Sequence, residues 1–268
     1  MNAYNLSLWV LAGICFATWL TSVITKEYSW VDRIWSIIPI VYTWIFAAGS
    51  NLADPRLNTM AVLVTLWGAR LTFNFARKGG YAPGGEDYRW AILREKMSPA
   101  IYQLFNIFFI VIFQNVLLWL ITLPADAVSS YGNKGFGVVD FGFAALFAGF
   151  LAMEFFADQQ QWNFHQHKKA ELAAGRTVHP GFLQTGWFAV ARHPNFFAEQ
   201  AQWWVLLFWA AAITGNILQV ASIGAIILTA LFIGSARFTE QISAEKYPEY
   251  RDYQRRVSMM VPSWRKAQ

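Results

Sequence analysis

The feature that most constrains this chain is the recurrence of long, almost uncharged apolar runs along its length. The runs lie near Leu6–Ile24, Ile34–Ser50, Met60–Phe75, Ile101–Leu123, Val138–Phe156, Ala198–Thr214 and Leu218–Ser235. Each approaches the ~20 residues that an α-helix needs to cross the hydrocarbon core of a bilayer. Only 14% of the 268 residues are charged, against roughly 25% in ordinary soluble domains. The sequence therefore predicts an all-α, polytopic membrane protein with a single bundle of about seven transmembrane helices.

The distribution of basic residues predicts how this bundle is oriented. If the first span runs from outside to inside, every Lys and Arg except Arg56 and Lys134 falls in an inner segment. Because basic loops favour the cytoplasmic side, we expect the N-terminus outside and the C-terminus in the cytoplasm. The net charge of +5 follows from the same asymmetry as a signal of topology and lipid headgroups, so we expect no nucleic-acid partner.

The absence of long polar linkers predicts one membrane domain over residues 1–268. Cys15 is the only cysteine in the sequence, which excludes an intrachain disulfide framework and a cysteine-based metal site. His165 and His167 are two residues apart and no His-x-x-x-His spacing occurs. Neighbouring histidines at that spacing point in different directions on a helix, so we expect no bound metal.

The segment Gly186–Glu199 carries the strongest candidate site. Pro194 suits a first helical turn, so a helix is predicted to begin there, directly after the cationic pair Arg192 and His193. A helix start beside two cations favours an anionic ligand. Three polar residues then share one face of an otherwise apolar helix: Asn195, Glu199 and Gln202.

Other predicted spans also carry polar residues at their cytoplasmic ends. Asp32 enters the second span, where it is either a helix-start residue with a neighbouring ion pair or an acid that faces the substrate. A stripe on the third span contains Trp67, Arg70, Asn74 and Arg77. One face at the end of the fifth span contains Glu154, Asp158, Gln161, Trp162 and His165. The last span ends in Arg237, Glu240 and Gln241. This distribution predicts a polar ligand that opens to the cytoplasm, below an apolar chamber for a lipid-like partner.

The connecting segments are expected to contribute less. The Gly-rich loop Gly79–Tyr88 lacks the spacing of a phosphate-binding loop and is interpreted as a flexible connection. The fourth span and the outer loop Pro124–Asp140 are interpreted as packing and as a loop without chemistry. The tail Glu245–Arg256 is either an amphipathic helix with its tyrosines along the membrane interface or a cover for a bound nucleotide.

Several of these segments resemble a known family. The segment Gly186–Glu199, the residues Glu154 and Asp158, and the closing run from Glu240 to Pro262 are similar to the C-terminal part of the steroid 5α-reductase superfamily. Together with Ser29–Trp35 they resemble its bacterial DUF1295 branch, and residues 138–268 correspond to a cofactor-binding part. The resemblance implies an NADPH-dependent reductase of the carbon–carbon double bond of an α,β-unsaturated ketone in a steroid- or lipid-like substrate.

The resemblance also implies roles for individual residues. In the catalytic part, Asp32 takes the place of a glutamate that holds the ketone, and Trp67 stands where the reductases have a tyrosine. An indole N–H donates a hydrogen bond but is not a proton-donating acid, so Tyr42 is the alternative donor. Phe196 and Ala198 also replace the usual tyrosine and glycine. The expected cofactor contacts are Arg70, Asn74, Glu154, Asp158, Gln161, Arg192, His193, Asn195, Glu199, Arg237, Glu240 and Tyr250.

Two other functions remain open at this stage. Isoprenylcysteine and phospholipid methyltransferases share an Arg-His-Pro helix start and bind S-adenosylmethionine there, so a membrane methyltransferase is the first alternative. A lipid-binding membrane protein without catalysis is the second. The expected partners are the small hydrophobic enone and the lipid bilayer, without an obligate protein partner, and the expected location is the bacterial inner membrane.

Overall fold

A computed structural model of the chain describes residues 1–82, 84–86, 88–131 and 135–263. Within these ranges the chain forms helices and no strands, which confirms the all-α fold class. Among the basic residues used to predict the orientation, Lys134, Arg265 and Lys266 lie outside the described residues.

Helices follow one another closely along the whole described chain. The first part contains α1 (Ala3–Thr25), α2 (Trp30–Ile34), α3 (Ile38–Gly49), α4 (Pro55–Arg77) and α5 (Tyr88–Glu95). A long helical stretch follows as α6 (Pro99–Phe105), a π-helical segment (Asn106–Phe113), α7 (Gln114–Leu120) and α8 (Leu123–Ser129). The last part contains α9 (Val138–Ala173), a 3₁₀ turn (Gly186–Ala189), α10 (Pro194–Thr214), α11 (Val220–Lys246) and α12 (Tyr250–Arg256).

Four helical stretches of the described chain are long and apolar enough to cross a membrane. They are Ala3–Thr25, Pro99–Ser129, Val138–Ala173 and Val220–Lys246. They correspond to the first, fourth, fifth and seventh of the predicted spans. The structure therefore supports an integral membrane protein and defines four candidate spans.

The other three predicted spans form helices that are shorter or less apolar than these four. The second becomes α3, an apolar helix of 12 residues that follows the short helix α2. The third and sixth become α4 and α10, which have 23 and 21 residues but carry the polar stripes noted in the sequence. Polar side chains lower the mean hydropathy of a helix, so the count of seven spans stays a prediction.

The contacts divide the chain into two compact units. The first unit consists of Met1–Ala144 and Leu206–Ile227, and the second of Ala145–Val205 and Leu228–Gln268. The helices α9, α10 and α11 each contribute residues to both units. The expectation of one membrane domain with a cofactor-binding part over residues 138–268 stays a prediction.

In the first unit, α3 packs on α4, α1 and α8. Gly68 on α4 allows a close approach, because a Cβ atom there would lie 2.3 Å from the carbonyl oxygen of Ser36 and 2.6 Å from the Cδ1 atom of Ile40. Small residues of this kind let membrane helices pack with their backbones close together.

A series of polar contacts joins α1 to the long helical stretch after Pro99. Its three hydrogen bonds run from Asn106 to Ser22 (3.0 Å), from Asn115 to Thr18 (3.2 Å) and from Trp119 to Ser7 (2.9 Å). The three hydroxyl-bearing side chains and the two asparagines are buried. The fourth predicted span, interpreted as apolar packing, therefore also holds α1 in place by hydrogen bonds.

A buried ion pair lies where the sequence predicted a loop without chemistry. The Arg56 Nε atom donates to Asp140 Oδ1 at 2.6 Å, and the same oxygen accepts from Trp209 Nε1 at 2.7 Å. The second oxygen of Asp140 accepts from the Gly137 N–H at 2.7 Å. Arg56 and Asp140 are 4% and 1% exposed. The interpretation of Pro124–Asp140 as a loop was wrong for its first residues, which belong to helix α8, whereas its lack of chemistry stays a prediction.

We expect Asp140→Ala to lower the free energy of unfolding by about 3–5 kcal/mol, because it leaves the Arg56 guanidinium buried without its counter-charge. The matched variant Trp209→Phe keeps the ion pair and removes one hydrogen bond, worth about 1 kcal/mol. Thermal unfolding of the purified protein in detergent measures both. Equal losses for the two variants would show that the ion pair contributes no more than the indole does.

Candidate functional site

Asp32 lies on the short helix α2 in the first unit. Its Oδ2 atom accepts a hydrogen bond from the Trp90 indole Nε1 at 2.7 Å, and Trp90 is buried in a cluster with Tyr28 and Tyr102. Trp90 belongs to the short helix α5. A carboxylate held by a buried indole can be oriented toward a ligand.

Arg33, the neighbour of Asp32, forms an ion pair with Glu27. Arg33 Nη2 lies 2.7 Å from Glu27 Oε2, and its Nε donates to the carbonyl of Gly80. The Arg33 hydrogen bond holds the pKa of the Glu27 carboxyl below its usual range. The Tyr81 hydroxyl in turn donates to the Arg33 carbonyl at 3.0 Å. These contacts anchor residues 80 and 81 of the Gly-rich loop to α2.

The remaining candidates of the first unit are deeply buried. Tyr42 and Trp67 are fully buried, and Arg70 and Asn74 are 8% and 4% exposed on the same helix α4. The stripe predicted for the third span therefore exists as one helical face. Within the described residues the Tyr42 hydroxyl has no hydrogen-bond partner. A buried phenol in that state is a ready donor for a ligand oxygen.

In the second unit, α9 and α10 present a ladder of carboxylates and amides to each other. Asn195 Nδ2 donates to Asp158 Oδ1 at 3.2 Å, and Gln202 Nε2 donates to Glu154 Oε2 at 2.7 Å. Glu154, Asp158 and Gln202 are buried, as is Glu199 on the same face of α10. The shared face predicted for α10 is therefore observed. We call these four residues and Asn195 the polar ladder.

One acceptor of the polar ladder is left open by the protein. The amide oxygen of Gln202 is buried and has no hydrogen-bond partner among the described residues. Gln202 was recognised on the polar face from its spacing but was not included among the expected cofactor contacts. An orphaned buried acceptor between carboxylates suits the hydroxyl or amide hydrogens of a ligand.

The start of α10 at Pro194 is as predicted, but its cations have protein partners. Arg192 forms a bidentate pair with Glu240 on α11, with its Nε at 2.6 Å from Oε1 and its Nη2 at 3.0 Å from Oε2. Its Nη1 donates to the carbonyls of Gln254 and Val257 in the tail. His193 Nε2 lies 3.0 Å from Glu240 Oε1. We call this set of contacts the tail clamp.

The tail clamp continues through the main chain. The Arg192 and His193 N–H groups donate to the carbonyls of Ser258 and Met259, each at 2.9 Å. Gln254 Nε2 adds a further donor to Glu240 at 2.9 Å. These protein groups occupy four of the five N–H donors of the guanidinium, which leaves Arg192 one N–H for any other acceptor.

The tyrosines of the tail are buried rather than placed along the membrane interface. Tyr250 and Tyr253 are 6% and 2% exposed, and both pack on Phe182. The Tyr253 hydroxyl donates to the Phe188 carbonyl. Burial raises the pKa of both phenols. The interpretation of this segment as a solvated helix with interfacial tyrosines was therefore wrong for Tyr250 and Tyr253, which lie in the core of the second unit.

The remaining candidates lie at the edges of this unit. Gln161 is half-buried, whereas His165, His167 and Arg237 are exposed. No group of three or more metal-ligating side chains occurs in the part of the chain that the structure describes. The expectations for these residues stay predictions.

Gly186 is the first residue of the segment Gly186–Glu199, and a side chain is disfavoured at its position. Its φ is +62°, in the left-handed region, and a Cβ atom there would lie 2.5 Å from the Gln160 Oε1 atom. That same Gln160 oxygen accepts from the Trp187 N–H at 3.0 Å. Glycine therefore allows the turn before α10 to attach to α9.

The helices and the buried polar residues together define an integral membrane protein with carboxylates and amides arranged on its helices. The chain belongs to the DUF1295 family. The family profile, described as "Protein of unknown function (DUF1295)", matches residues 18–257. This confirms the resemblance to DUF1295, whereas the wider superfamily and the bacterial branch remain predictions.

A relative in yeast extends this comparison. The chain is 40% identical over 259 residues to a Schizosaccharomyces pombe protein described as uncharacterized. The alignment covers 91% of this chain and 75% of the yeast chain. No solved structure matches the chain significantly.

We expect Glu240→Gln to loosen the tail, because it removes the charge that the Arg192 guanidinium and two further donors share. Amide hydrogen exchange over residues 250–263 should accelerate by about tenfold or more, as expected when a buried charge pair is broken. The control is Arg255→Gln, which removes an exposed pair with Asp252 that is worth roughly 0–1 kcal/mol. Unchanged exchange in Glu240→Gln would show that the tail is held by its aromatic packing alone.

Proposed function

We propose that this protein is an NADPH-dependent membrane reductase of the carbon–carbon double bond of an α,β-unsaturated ketone in a steroid- or lipid-like substrate. The observation that carries the proposal is the polar ladder, where the protein keeps carboxylates and amides buried at the start of α10 and leaves one acceptor open. Buried polar groups of this kind in a membrane bundle are expensive and mark binding sites. The resemblance of the segment Gly186–Glu199 to the reductases gives the site its chemistry.

The polar ladder fits the ribose and the nicotinamide of NADPH better than it fits the phosphates. The carboxylates of Asp158 and Glu199 and the open oxygen of Gln202 accept hydrogen bonds, which suits ribose hydroxyls and the carboxamide of a nicotinamide. The phosphates need cations, and with Arg192 engaged by Glu240, that requirement falls on other cationic side chains. When bound, NADPH supplies a hydride from its nicotinamide ring.

The chain's own residues have the second task of stabilising charge on the ketone oxygen. In this proposal a protonated Asp32 or a tyrosine donates a hydrogen bond to that oxygen as the enolate develops. The buried, unpartnered hydroxyl of Tyr42 supports its candidacy. A second phenol, Tyr102, shares these properties, since its hydroxyl is also buried and without a hydrogen-bond partner among the described residues. Tyr102 packs in the same cluster as Trp90, whose indole donates to Asp32.

Trp67 stands where the reductases have a tyrosine, which agrees with a proton donor on another helix. Trp67 is fully buried, and its indole N–H is a donor that does not give up its proton. A phenol from another helix therefore has to complete the reaction. A preorganised donor aimed at a developing oxyanion is worth about 10²–10³-fold in kcat.

One observation favours the alternative of an S-adenosylmethionine-dependent methyltransferase. Because Arg192 is held in the tail clamp, the second unit has fewer arginines ready for phosphates than its sequence suggests. Buried carboxylates also suit a cofactor with ribose hydroxyls and a positive charge. A lipid-binding protein without catalysis remains the second alternative, and it predicts binding of neither nucleotide.

The proposal includes the topology predicted from the basic residues. We propose seven spans, with α3, α4 and α10 crossing beside the four candidate spans, the N-terminus outside and the C-terminus in the cytoplasm. Polar faces on α4 and α10 are compatible with a membrane when they face the protein interior. The bacterial inner membrane is the proposed location, and the yeast relative extends the family to another kind of cell.

The reductase proposal predicts NADPH oxidation by membranes that contain the protein and a progesterone-like enone. Asp32→Ala should lower kcat by about 10²-fold or more, because it removes the hydrogen bond to the ketone oxygen. Asn195→Ala should instead raise the KM for NADPH, because it removes an amide of the polar ladder. Stopped-flow absorbance of NADPH measures both, and Asp252→Asn on the exposed face of α12 is the control that should leave both constants unchanged.

The outcomes separate the three functions. Tight binding of S-adenosylmethionine together with no NADPH oxidation by any enone would exclude the reductase and favour the methyltransferase. Binding of neither nucleotide would favour the lipid-binding protein. Loss of NADPH oxidation in Tyr42→Phe but not in Tyr102→Phe would identify Tyr42 as the proton donor, and the reverse result would identify Tyr102.

A further inference from the structure

The second unit contains an apolar groove on the side of α10 that faces away from the polar ladder. The groove has a volume of about 570 Å³ and is lined by Phe197, Gln200, Ala201 and Trp204 of α10, Thr229 and Ile233 of α11, and residues 258–261 of the tail. At 100° per residue, these α10 positions lie on the opposite side of the helix from Asn195, Glu199 and Gln202. The volume falls within the ~300–1,000 Å³ typical of ligand sites.

The polar hydrogens around the groove already have protein partners. Trp204 Nε1 donates to Thr229 Oγ1 at 3.0 Å, which satisfies both groups at one end. Gln200 Nε2 donates to the Phe196 carbonyl at 3.1 Å and lies 3.4 Å from the Met260 sulfur. The lining that remains is aromatic, aliphatic and thioether surface. Methionine adapts to irregular apolar shapes, so this surface suits a flexible hydrocarbon chain.

The groove lies beside a candidate membrane span, which indicates that the hydrocarbon chain belongs to a lipid. Thr229 and Ile233 belong to α11, which is one of the four candidate membrane spans. Phe197, Ala201 and Trp204 are partly exposed, so the groove is open along its length. The medium beside a membrane span is hydrocarbon, and the chains available in it are those of lipids.

A positive charge lies at one end of the groove. Thr229, Ile233 and Arg237 are spaced by four residues and follow one stripe of α11, which leads from the groove to an exposed guanidinium. On the tail, the exposed Arg256 comes two residues before the groove residue Ser258. An apolar trough with an exposed arginine one helical turn beyond Ile233 matches an amphiphile with one chain and an anionic head.

We propose that this groove holds one acyl chain of an anionic membrane phospholipid whose headgroup phosphate pairs with Arg237. The bound lipid covers the face of α10 opposite the polar ladder and packs against the tail where the clamp ends. This binding does not depend on the reductase proposal, since neither nucleotide nor enone takes part in it.

The test uses the full-length protein in vesicles of phosphatidylglycerol that carries a photoactivatable diazirine on its acyl chain. After irradiation, mass spectrometry of the digested protein should map cross-links to residues 197–204 and 258–261. Ala201→Trp fills the groove and should reduce these cross-links by about tenfold or more. Ala230→Trp places the same side chain at an exposed position of α11 outside the groove and should leave them unchanged.

The headgroup is tested separately by competition between lipids, first with the wild-type protein. Unlabelled phosphatidylglycerol should compete for the groove cross-links several-fold better than phosphatidylcholine, and Arg237→Gln should remove that preference. Equal competition by the two lipids would overturn the assignment of an anionic headgroup. Cross-links that persist in Ala201→Trp, or that only a progesterone-like enone displaces, would overturn the phospholipid as occupant.

Discussion

The charge pair between Arg192 and Glu240 holds together the part of the second unit that carries the candidate site. Arg192 immediately precedes α10, Glu240 lies near the end of α11, and the carbonyls of Gln254 and Val257 complete the set. A buried guanidinium is tolerated when nearly all of its donors are used. This single residue therefore ties the start of α10 to the end of α11 and to the tail.

The same rule, that buried polar groups come in satisfied sets, organises the rest of the molecule. In the first unit Asp140 accepts from Arg56, Trp209 and Gly137, and Asp32 is held by Trp90. In the second unit the acids of α9 meet the amides of α10. Other buried polar atoms of the described chain have no hydrogen-bond partner, among them the hydroxyl of Tyr42 and the amide oxygens of Asn106, Asn115 and Gln202.

Much of this arrangement was predictable from residue spacing. The start of α10 at Pro194, its polar face and the stripe on α4 follow from helical periodicity, which a sequence displays directly. Partners distant in sequence were not predictable. Nothing local in the sequence pairs Arg192 with Glu240 or Arg56 with Asp140, which are 48 and 84 residues apart. Spacing therefore identified which faces are polar, but not which cations are already neutralised by the protein.

The hydrogen bonds along α1 have a consequence for how the chain enters the membrane. Ser7, Thr18 and Ser22 each donate their hydroxyl hydrogen to a carbonyl of α1 itself, at 2.7 to 2.8 Å. Their oxygens then accept from residues 84 to 112 positions later in the chain. Since the donors are satisfied locally, α1 is stable alone in lipid before its partners are synthesised. The later asparagines and tryptophan donate to these oxygens and so select the rotation at which α1 docks.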